Sequence, residues 1–253
     1  MWKTIKSPNG EYMKEISNFW DMYTKKAESN KYMVMLPMID KLNKYFWSLI
    51  WKKGVDYWCW IWDITHELSL LWAKMIWIDI SPDQLSKARD MHKHLDFIEK
   101  IDNIENGSLD FVYFKFSLCA MDDETYEEVL KDVYKKLKNK WMIVIWDQNR
   151  DECVGKETFC EYYPLEESTE NWHKRKTILK IWWTKMSDWL KKGIDYEEVT
   201  DHFRSQEYTK IKLEKAWFID VLFSFPKIPK NTNRMPMDEL KTNIYKITTA
   251  IKW

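Results

Sequence analysis

The chain has 253 residues, enough for one domain with additions, and its 40 basic and 40 acidic side chains give a formal net charge of zero. A neutral chain has no overall field that attracts nucleic acid or an anionic membrane, so we expect neither as a partner. Without a signal peptide, a long apolar run or a CxxC pair among its four cysteines, the chain is expected to be cytoplasmic, with reduced thiols.

The first 50 residues are predicted to form helices, with the run FWDMYTKKAESNKYMVMLPMIDKL as the main candidate. A short strand is predicted at 55–59, and after a turn the run DITHELSLLWAK is predicted to be helical. Residues 75–80 are apolar without interruption up to Asp79, which is typical of a buried parallel strand. The SPDQ that follows combines a capping serine, an early proline and a capping-box glutamine, and so predicts another helix.

Further strands are predicted at 96–100, 109–114 and 141–147. The helix predicted at 122–138 has the clearest pattern in the chain, because its apolar residues recur at i, i+3, i+4, i+7 and i+8. Strands that alternate with helices form right-handed βαβ units. The pattern therefore predicts an α/β fold with a mostly parallel sheet.

The remainder of the chain is less regular. Residues 151–195 are polar, charged and dotted with tryptophan, and we interpret them as an insertion over one end of the sheet. Helical periodicity resumes at 205–216. The runs FIDVLFSF and NIYKITTAIKW are predicted to be two closing strands, which brings the sheet to seven strands.

The turn after the first strand contains three tryptophans at alternate positions, Trp58, Trp60 and Trp62. In open α/β sheets this turn passes close to the ligand, in backbone conformations that glycine tolerates best. The whole chain contains 17 tryptophans and 5 glycines, whereas average usage of about 7% predicts about 18 glycines. The two counts together equal an ordinary glycine content plus a few tryptophans.

With glycine at those three positions the turn reads VDYGCGIGD, which resembles the first motif of the class I S-adenosylmethionine (SAM) dependent methyltransferases. The runs MIWIDISPDQLSKAR, NGSLDFVYFKFSLCAMDDETYEEVLKDVYKKLKNKWMIVIWD and HFRSQEYTKIKLEKAWFIDV resemble later parts of that family. The resemblance covers about residues 20–253 and is strongest over 55–147. It implies a Rossmann-like sheet with helices on both faces, a helical lid at 1–50 and a SAM-binding domain at 51–253.

Four more tryptophans stand where this family has glycine: Trp72, Trp77, Trp141 and Trp217. Independent mutation would not choose the same replacement seven times. UGA encodes glycine in some variant genetic codes and tryptophan in others, so we hypothesise that an alternative genetic code underlies these positions. If the tryptophans are literal, three indoles in the turn should occlude the cofactor site and SAM should bind weakly or not at all.

The resemblance implies a set of SAM-binding positions. As glycines, positions 58, 60 and 62 would let the backbone approach the methionine and ribose parts of SAM. Asp56 matches the family acid near the amino group of SAM, with a turn-capping role as the alternative. Asp79 would accept both ribose hydroxyls, as the acid of dinucleotide folds does. The full set of candidates is Asp56, Trp58, Cys59, Trp60, Trp62, Asp79, Ile80, Asp102 and Phe116.

Three further members of this set keep alternatives. Ile80 would lie against the adenine, or would belong to the core. Asp102 resembles the acid that receives the adenine amino group, but this region is shorter than usual for the family, which leaves the register open by one or two residues. Phe116 would line either the adenine side or the substrate side of the site.

Two residues are candidates for contact with the methyl acceptor. His202 resembles a histidine found before the late helix in small-molecule members of the family, or is an exposed histidine without a role. Tyr23 resembles part of the lid, or packs between helices. We find no cluster with metal-ligand spacing, and no catalytic base is assigned.

These features predict a SAM-dependent methyltransferase that acts on a small-molecule acceptor and releases S-adenosylhomocysteine. The alternative is a non-catalytic Rossmann-like binding protein whose tryptophan-filled turn no longer binds SAM. A nucleotide-dependent oxidoreductase is disfavoured, because the turn has the spacing GxGxG rather than GxGxxG.

Overall fold

The computed structural model describes residues 35–57, 68–71, 73–153, 161–162, 172–179, 197–226 and 243–253. The helices are α1 (Leu36–Phe46), α2 (Pro82–Met91), α3 (Asp123–Lys136), α4 (Arg150–Cys153) and α5 (Gln206–Lys215). The strands are β1 (Lys53–Tyr57), β2 (Lys74–Ile78), β3 (Asp96–Ile98), β4 (Leu109–Lys115), β5 (Leu137–Gln148), β6 (Glu161–Tyr162), β7 (Trp172–Leu179), β8 (Glu197–Arg204), β9 (Phe218–Ser224) and β10 (Tyr245–Lys252).

Seven strands form the main sheet in the order β3-β2-β1-β4-β5-β10-β9. Neighbouring strands from β3 to β5 are parallel, whereas β10 is antiparallel to both β5 and β9. The order reverses at β1, from which the chain moves first to β2 and later across to β4. This is the predicted seven-stranded, mostly parallel α/β sheet, in which β10, one of the two closing strands, is antiparallel to its neighbours.

A second, three-stranded antiparallel sheet has the order β6-β7-β8. Strands β6 and β7 lie within 151–195, where the sequence analysis placed an insertion over one end of the sheet, and β8 follows that range. Strands β7 and β8 pair along their whole length, from Trp172 with Arg204 to Leu179 with Glu197. The described part of the insertion is therefore a small β-sheet.

Helix α3 begins and ends where its sequence favours it. The carboxylate of Asp122 accepts a hydrogen bond of 2.9 Å from the amide of Thr125, which caps the first turn. Acidic residues occupy that turn and lysines occupy the last one, which suits the helix dipole. Its apolar stripe (Tyr126, Val129, Leu130, Val133) is buried against the sheet, as the spacing predicts.

The main sheet buries both of its faces. Alternate residues of β4 point to opposite sides, so Phe111 and Tyr113 join a core with Met38 of α1. Val112 and Phe114 join the other core, which α3 and α5 cover. Within the described ranges no helix is long and apolar enough to cross a membrane.

Gly54 allows β1 to lie close to β4. A Cβ atom built at Gly54 would stand 2.2 Å from the ring of Phe111, which is nearer than real Cβ contacts come. The two residues are partners in the parallel register of β1 and β4. Glycine is therefore needed at this position, near the start of β1.

Candidate functional site

The carboxyl ends of β1, β2 and β4 meet at one edge of the sheet, next to the point where the strand order reverses. Ligands of open α/β sheets bind at such a place. Asp56 lies in β1 and is fully buried. Its register partners are Trp77 in β2 and Tyr113 in β4, so the three side chains share one face of the sheet. The hydroxyl of Tyr113 donates a hydrogen bond to Oδ2 of Asp56.

Asp79 directly follows β2 and is also buried. Its Oδ1 accepts a hydrogen bond of 2.8 Å from the amide of Ser81, whereas its Oδ2 has no hydrogen-bond partner among the described residues. Burial raises the pKa of Asp79 to about 7; the Ser81 hydrogen bond opposes this shift and the charge of Asp56 adds to it. A buried carboxylate oxygen without a donor is costly, so this oxygen is suited to a hydroxyl from a ligand.

Two predicted cofactor positions follow strands β2 and β3. Ile80 is 44% exposed, so it does not belong to the core and is accessible beside Asp79. Asp102 lies in a short 3-10 turn, Ile101–Asn103, and is exposed. The carbonyl of Asp102 accepts a hydrogen bond of 3.4 Å from Nζ of Lys136.

Glu99 is an acid that the sequence analysis did not select. It directly follows β3, whose Ile98 carbonyl accepts a hydrogen bond of 3.3 Å from the amide of Asp79. Glu99 is therefore the neighbour in sequence of the residue that the Asp79 amide contacts. Its position one residue after a predicted strand was the signal that could have identified it.

Phe116 follows β4 with a φ of 51° and packs towards strands β5 and β10. Its ring centroid is 3.9 Å from that of Trp146 and 5.6 Å from that of Tyr245. These neighbours belong to β5 and β10, on the side away from β2 and β3. The packing favours the substrate side over the adenine side for Phe116.

His202 lies in β8 and is half-buried, not exposed as the sequence analysis assumed. The pKa of Asp122 is lowered chiefly by hydrogen bonds from Thr125, and His202 and Arg204 contribute to the shift through their charges. His202 is therefore near the start of α3, on the segment that follows β4. Trp58, Cys59, Trp60, Trp62 and Tyr23 lie outside the described residues.

Arg204 connects the small sheet to the segment after β4. It is almost completely buried, and its guanidinium donates hydrogen bonds of 2.9 Å to the carbonyl of Leu118 and 2.7 Å to that of Met121. It also contacts Asp123 at 3.1 Å and lies over the ring of Tyr126, 4.2 Å from the centroid. Arg204 thus holds β8 against the loop that begins at Phe116.

Further charged groups are buried near the ends of β4, β5 and the start of β10: Lys115, Asp147 and Lys246. Nζ of Lys246 donates a hydrogen bond to the carbonyl of Arg204. Burial raises the pKa of Asp147, and the charge of Lys246 is the largest opposing influence. The sequence analysis selected none of these residues, because each lies in an otherwise apolar strand.

Among the described residues, no group of three or more histidine, cysteine, aspartate or glutamate side chains could hold a metal ion.

Comparison with solved structures gives the fold. The chain is similar to the PH0226 protein of Pyrococcus horikoshii, with a TM-score of 0.62 and 16% identity over 96% of this chain and 99% of that one. It is similar to an S-adenosylmethionine dependent methyltransferase of Mesorhizobium loti, with a TM-score of 0.54 and 18% identity over 81% and 93% of the two chains.

A third similar structure is the 1,6-didemethyltoxoflavin-N1-methyltransferase of Burkholderia thailandensis with bound 1,6-didemethyltoxoflavin and S-adenosylhomocysteine. Its TM-score is 0.59, with 12% identity over 97% of this chain and 87% of that one. No protein-family model and no curated protein sequence matches the chain. The structures show that the chain has the fold of class I SAM-dependent methyltransferases.

Proposed function

We propose that this protein is a SAM-dependent methyltransferase that acts on a small-molecule acceptor. The observation that carries the proposal is Asp79, a buried carboxylate at the end of β2 with one oxygen that has no donor in the described structure. In the methyltransferase fold this place lies at the reversal of strand order, where a ligand is expected. The two hydroxyls of a ribose are donors that suit such a carboxylate.

The chain's own residues fit the cofactor around Asp79. Asp56, held by the hydroxyl of Tyr113, would attract the amino group of SAM, and the two carboxylates together favour a cationic ligand. Ile80 offers an exposed apolar side chain to the adenine ring. Glu99 or Asp102 would receive the adenine amino group, and glycines at 58, 60 and 62 would leave room for the backbone to approach.

SAM supplies a methyl group on a sulfonium, which is transferred by in-line displacement and leaves S-adenosylhomocysteine. The protein's contribution to such a reaction can be largely positioning, because correct alignment removes much of the entropic barrier. Asp56 would hold the amino group of the cofactor and Asp79 its ribose. The residues after β4 would then set the approach of the acceptor.

The acceptor is proposed to bind on the β4–β5 side of the edge. Phe116 packs there against Trp146 and Tyr245, which gives that side an aromatic wall. His202 lies near the same segment, and Tyr23 is the proposed lid contact. A small molecule is favoured because the chain is neutral overall and because a structural neighbour is named for a small-molecule acceptor. We place the enzyme in the cytoplasm, on the evidence of its cysteines.

The test is calorimetric titration of S-adenosylhomocysteine into protein with glycine at 58, 60 and 62. Micromolar binding is expected. The Asp79→Asn substitution should weaken it about tenfold or more, because a loss of roughly 1.4 kcal/mol in charged hydrogen bonds corresponds to a tenfold loss of affinity. Asp96→Asn is the matched control, because Asp96 is an exposed carboxylate at the other end of β3.

Absence of binding to the glycine-containing protein would contradict the proposal and would leave the non-catalytic binding protein. If the Asp79→Asn variant bound S-adenosylhomocysteine with equal affinity, the protein would still bind the cofactor, but Asp79 would not be part of the cofactor site. Once binding is established, acceptors can be screened by the formation of S-adenosylhomocysteine.

A further inference from the structure

Tryptophan is unusually frequent at left-handed backbone positions in this protein. Outside glycine, a φ near +60° places Cβ too close to the following carbonyl oxygen, so few residues adopt it. In the described part of the chain six residues other than glycine do so, and three of them are tryptophan, although tryptophan is 17 of 253 residues. The six are Trp47, Trp51, Phe116, Lys140, Trp217 and Asp220.

The three tryptophans stand at turns that glycine normally makes. Trp47 ends α1 with φ 60° and ψ −27°, and its amide donates a hydrogen bond of 2.8 Å to the carbonyl of Asn43. Helices commonly end in a left-handed residue of this kind, which is usually glycine. Trp217, with φ 65°, follows α5, and its amide donates to the carbonyl of Glu214 at 3.0 Å. Trp51 has φ 64° just before β1.

Packing of the side chains does not explain these tryptophans. Trp47 is 94% exposed, Trp51 is 69% exposed and Trp217 is 64% exposed. The ammonium of Lys74 lies 5.3 Å from the centroid of the Trp51 ring, and the ring centroids of Trp217 and Tyr134 are 5.9 Å apart. A large apolar side chain normally compensates a strained backbone by being buried, and here the surroundings supply little compensation.

The glycines show the complementary deficit. The chain contains 5 glycines, and Gly107 is the one that the described structure places at positive φ, with φ 64° and open space around its Cβ position. An ordinary domain of this length has about 18 glycines, many of them in such turns. Tryptophan therefore occupies the kind of backbone position at which glycine is expected and is missing.

We infer that the protein made in its own cells carries glycine at positions 47, 51 and 217, inserted at UGA codons. Position 217 was also selected by the resemblance to methyltransferases, whereas 47 and 51 were selected by backbone conformation alone. The inference uses no residue of the proposed cofactor site. Positions 47 and 51 are thereby added to the seven that the resemblance selected.

Peptide mass spectrometry of the protein isolated from its source organism tests the inference. Trypsin releases residues 45–52, which contain positions 47 and 51 together, and residues 216–227, which contain position 217. The expected masses are lower than the written sequence by two tryptophan-to-glycine differences in the first peptide and by one in the second. Tryptophan at any of the three positions would overturn the inference.

The peptide of residues 101–115 is the control, because it contains Gly107 as written and should keep its written mass. Codons 47, 51 and 217 provide an independent reading, with UGA expected and UGG contradicting the inference. These outcomes are separable from the proposed function, since a protein with glycine at all three turns could still fail to bind S-adenosylhomocysteine.

Discussion

Replacing Trp47 by glycine should stabilise protein that is expressed with tryptophan at that position. The left-handed backbone at a residue with a Cβ costs about 1–2 kcal/mol. Glycine removes this cost, but it also raises the conformational entropy of the unfolded chain, which reduces the stabilisation by about 0.5–1 kcal/mol. Because Trp47 is 94% exposed, almost no buried apolar surface is lost with the indole. The net expectation is a free energy of unfolding higher by about 0.7 kcal/mol, the middle of the range from about 0 to 1.5 kcal/mol that these two contributions span.

Urea denaturation followed by circular dichroism measures this change, and the corresponding rise in Tm is about 1–4 °C for a domain of this size. Trp47→Ala is the matched control, because alanine removes the indole and retains the Cβ that causes the strain. It should change the free energy of unfolding by less than about 0.5 kcal/mol. A glycine variant no more stable than the alanine variant would refute the strain at the end of α1.

Three further perturbations follow from contacts described above. Gly54→Ala should lower the free energy of unfolding by about 1–3 kcal/mol in urea denaturation, because its Cβ would meet the ring of Phe111 at 2.2 Å; unchanged stability would mean that β1 and β4 can separate. Arg204→Met should cost about 3 kcal/mol by the same measurement, since the carbonyls of Leu118 and Met121 each lose a hydrogen bond and Asp123 loses its ion pair. A change within error would show that water replaces the guanidinium. Asp79 has a folded-state pKa raised to about 7, so the native state holds a proton that the unfolded state has released between about pH 4 and 7. Stability should therefore fall as pH rises through that window, and Asp79→Asn should flatten the fall; parallel pH profiles would contradict the raised pKa.

Local sequence patterns predicted the elements whose stabilising contacts are local. Helix α3 follows from its cap at Asp122 and from an apolar stripe of fixed period. Strand β2 and the position of Asp79 after it follow from one uninterrupted apolar run. The seven-stranded sheet was predicted from the alternation of such elements, and the structure confirms it.

Features that depend on distant partners were not predictable in the same way. The guanidinium of Arg204 binds carbonyls 86 and 83 residues earlier in the chain, so no local pattern distinguishes it from an exposed arginine. Strand β7 pairs with both β6 and β8. These segments are rich in charge, and the alternation of apolar and polar residues in them is weak. The cofactor positions at 58–62 stay predictions, because they rest on the resemblance.

The order of the main sheet has a consequence for how the protein folds. Strand β10 follows β9 in the sequence but lies between β9 and β5, and the side chain of Asn149 after β5 bonds the carbonyl of Asn243, 94 residues away. Until β10 docks, β5 and β9 each present an unpaired edge, and such edges pair with other chains. Closure of so long a loop is slow. The yield of refolding should therefore fall as the protein concentration rises, because aggregation competes with the docking of β10.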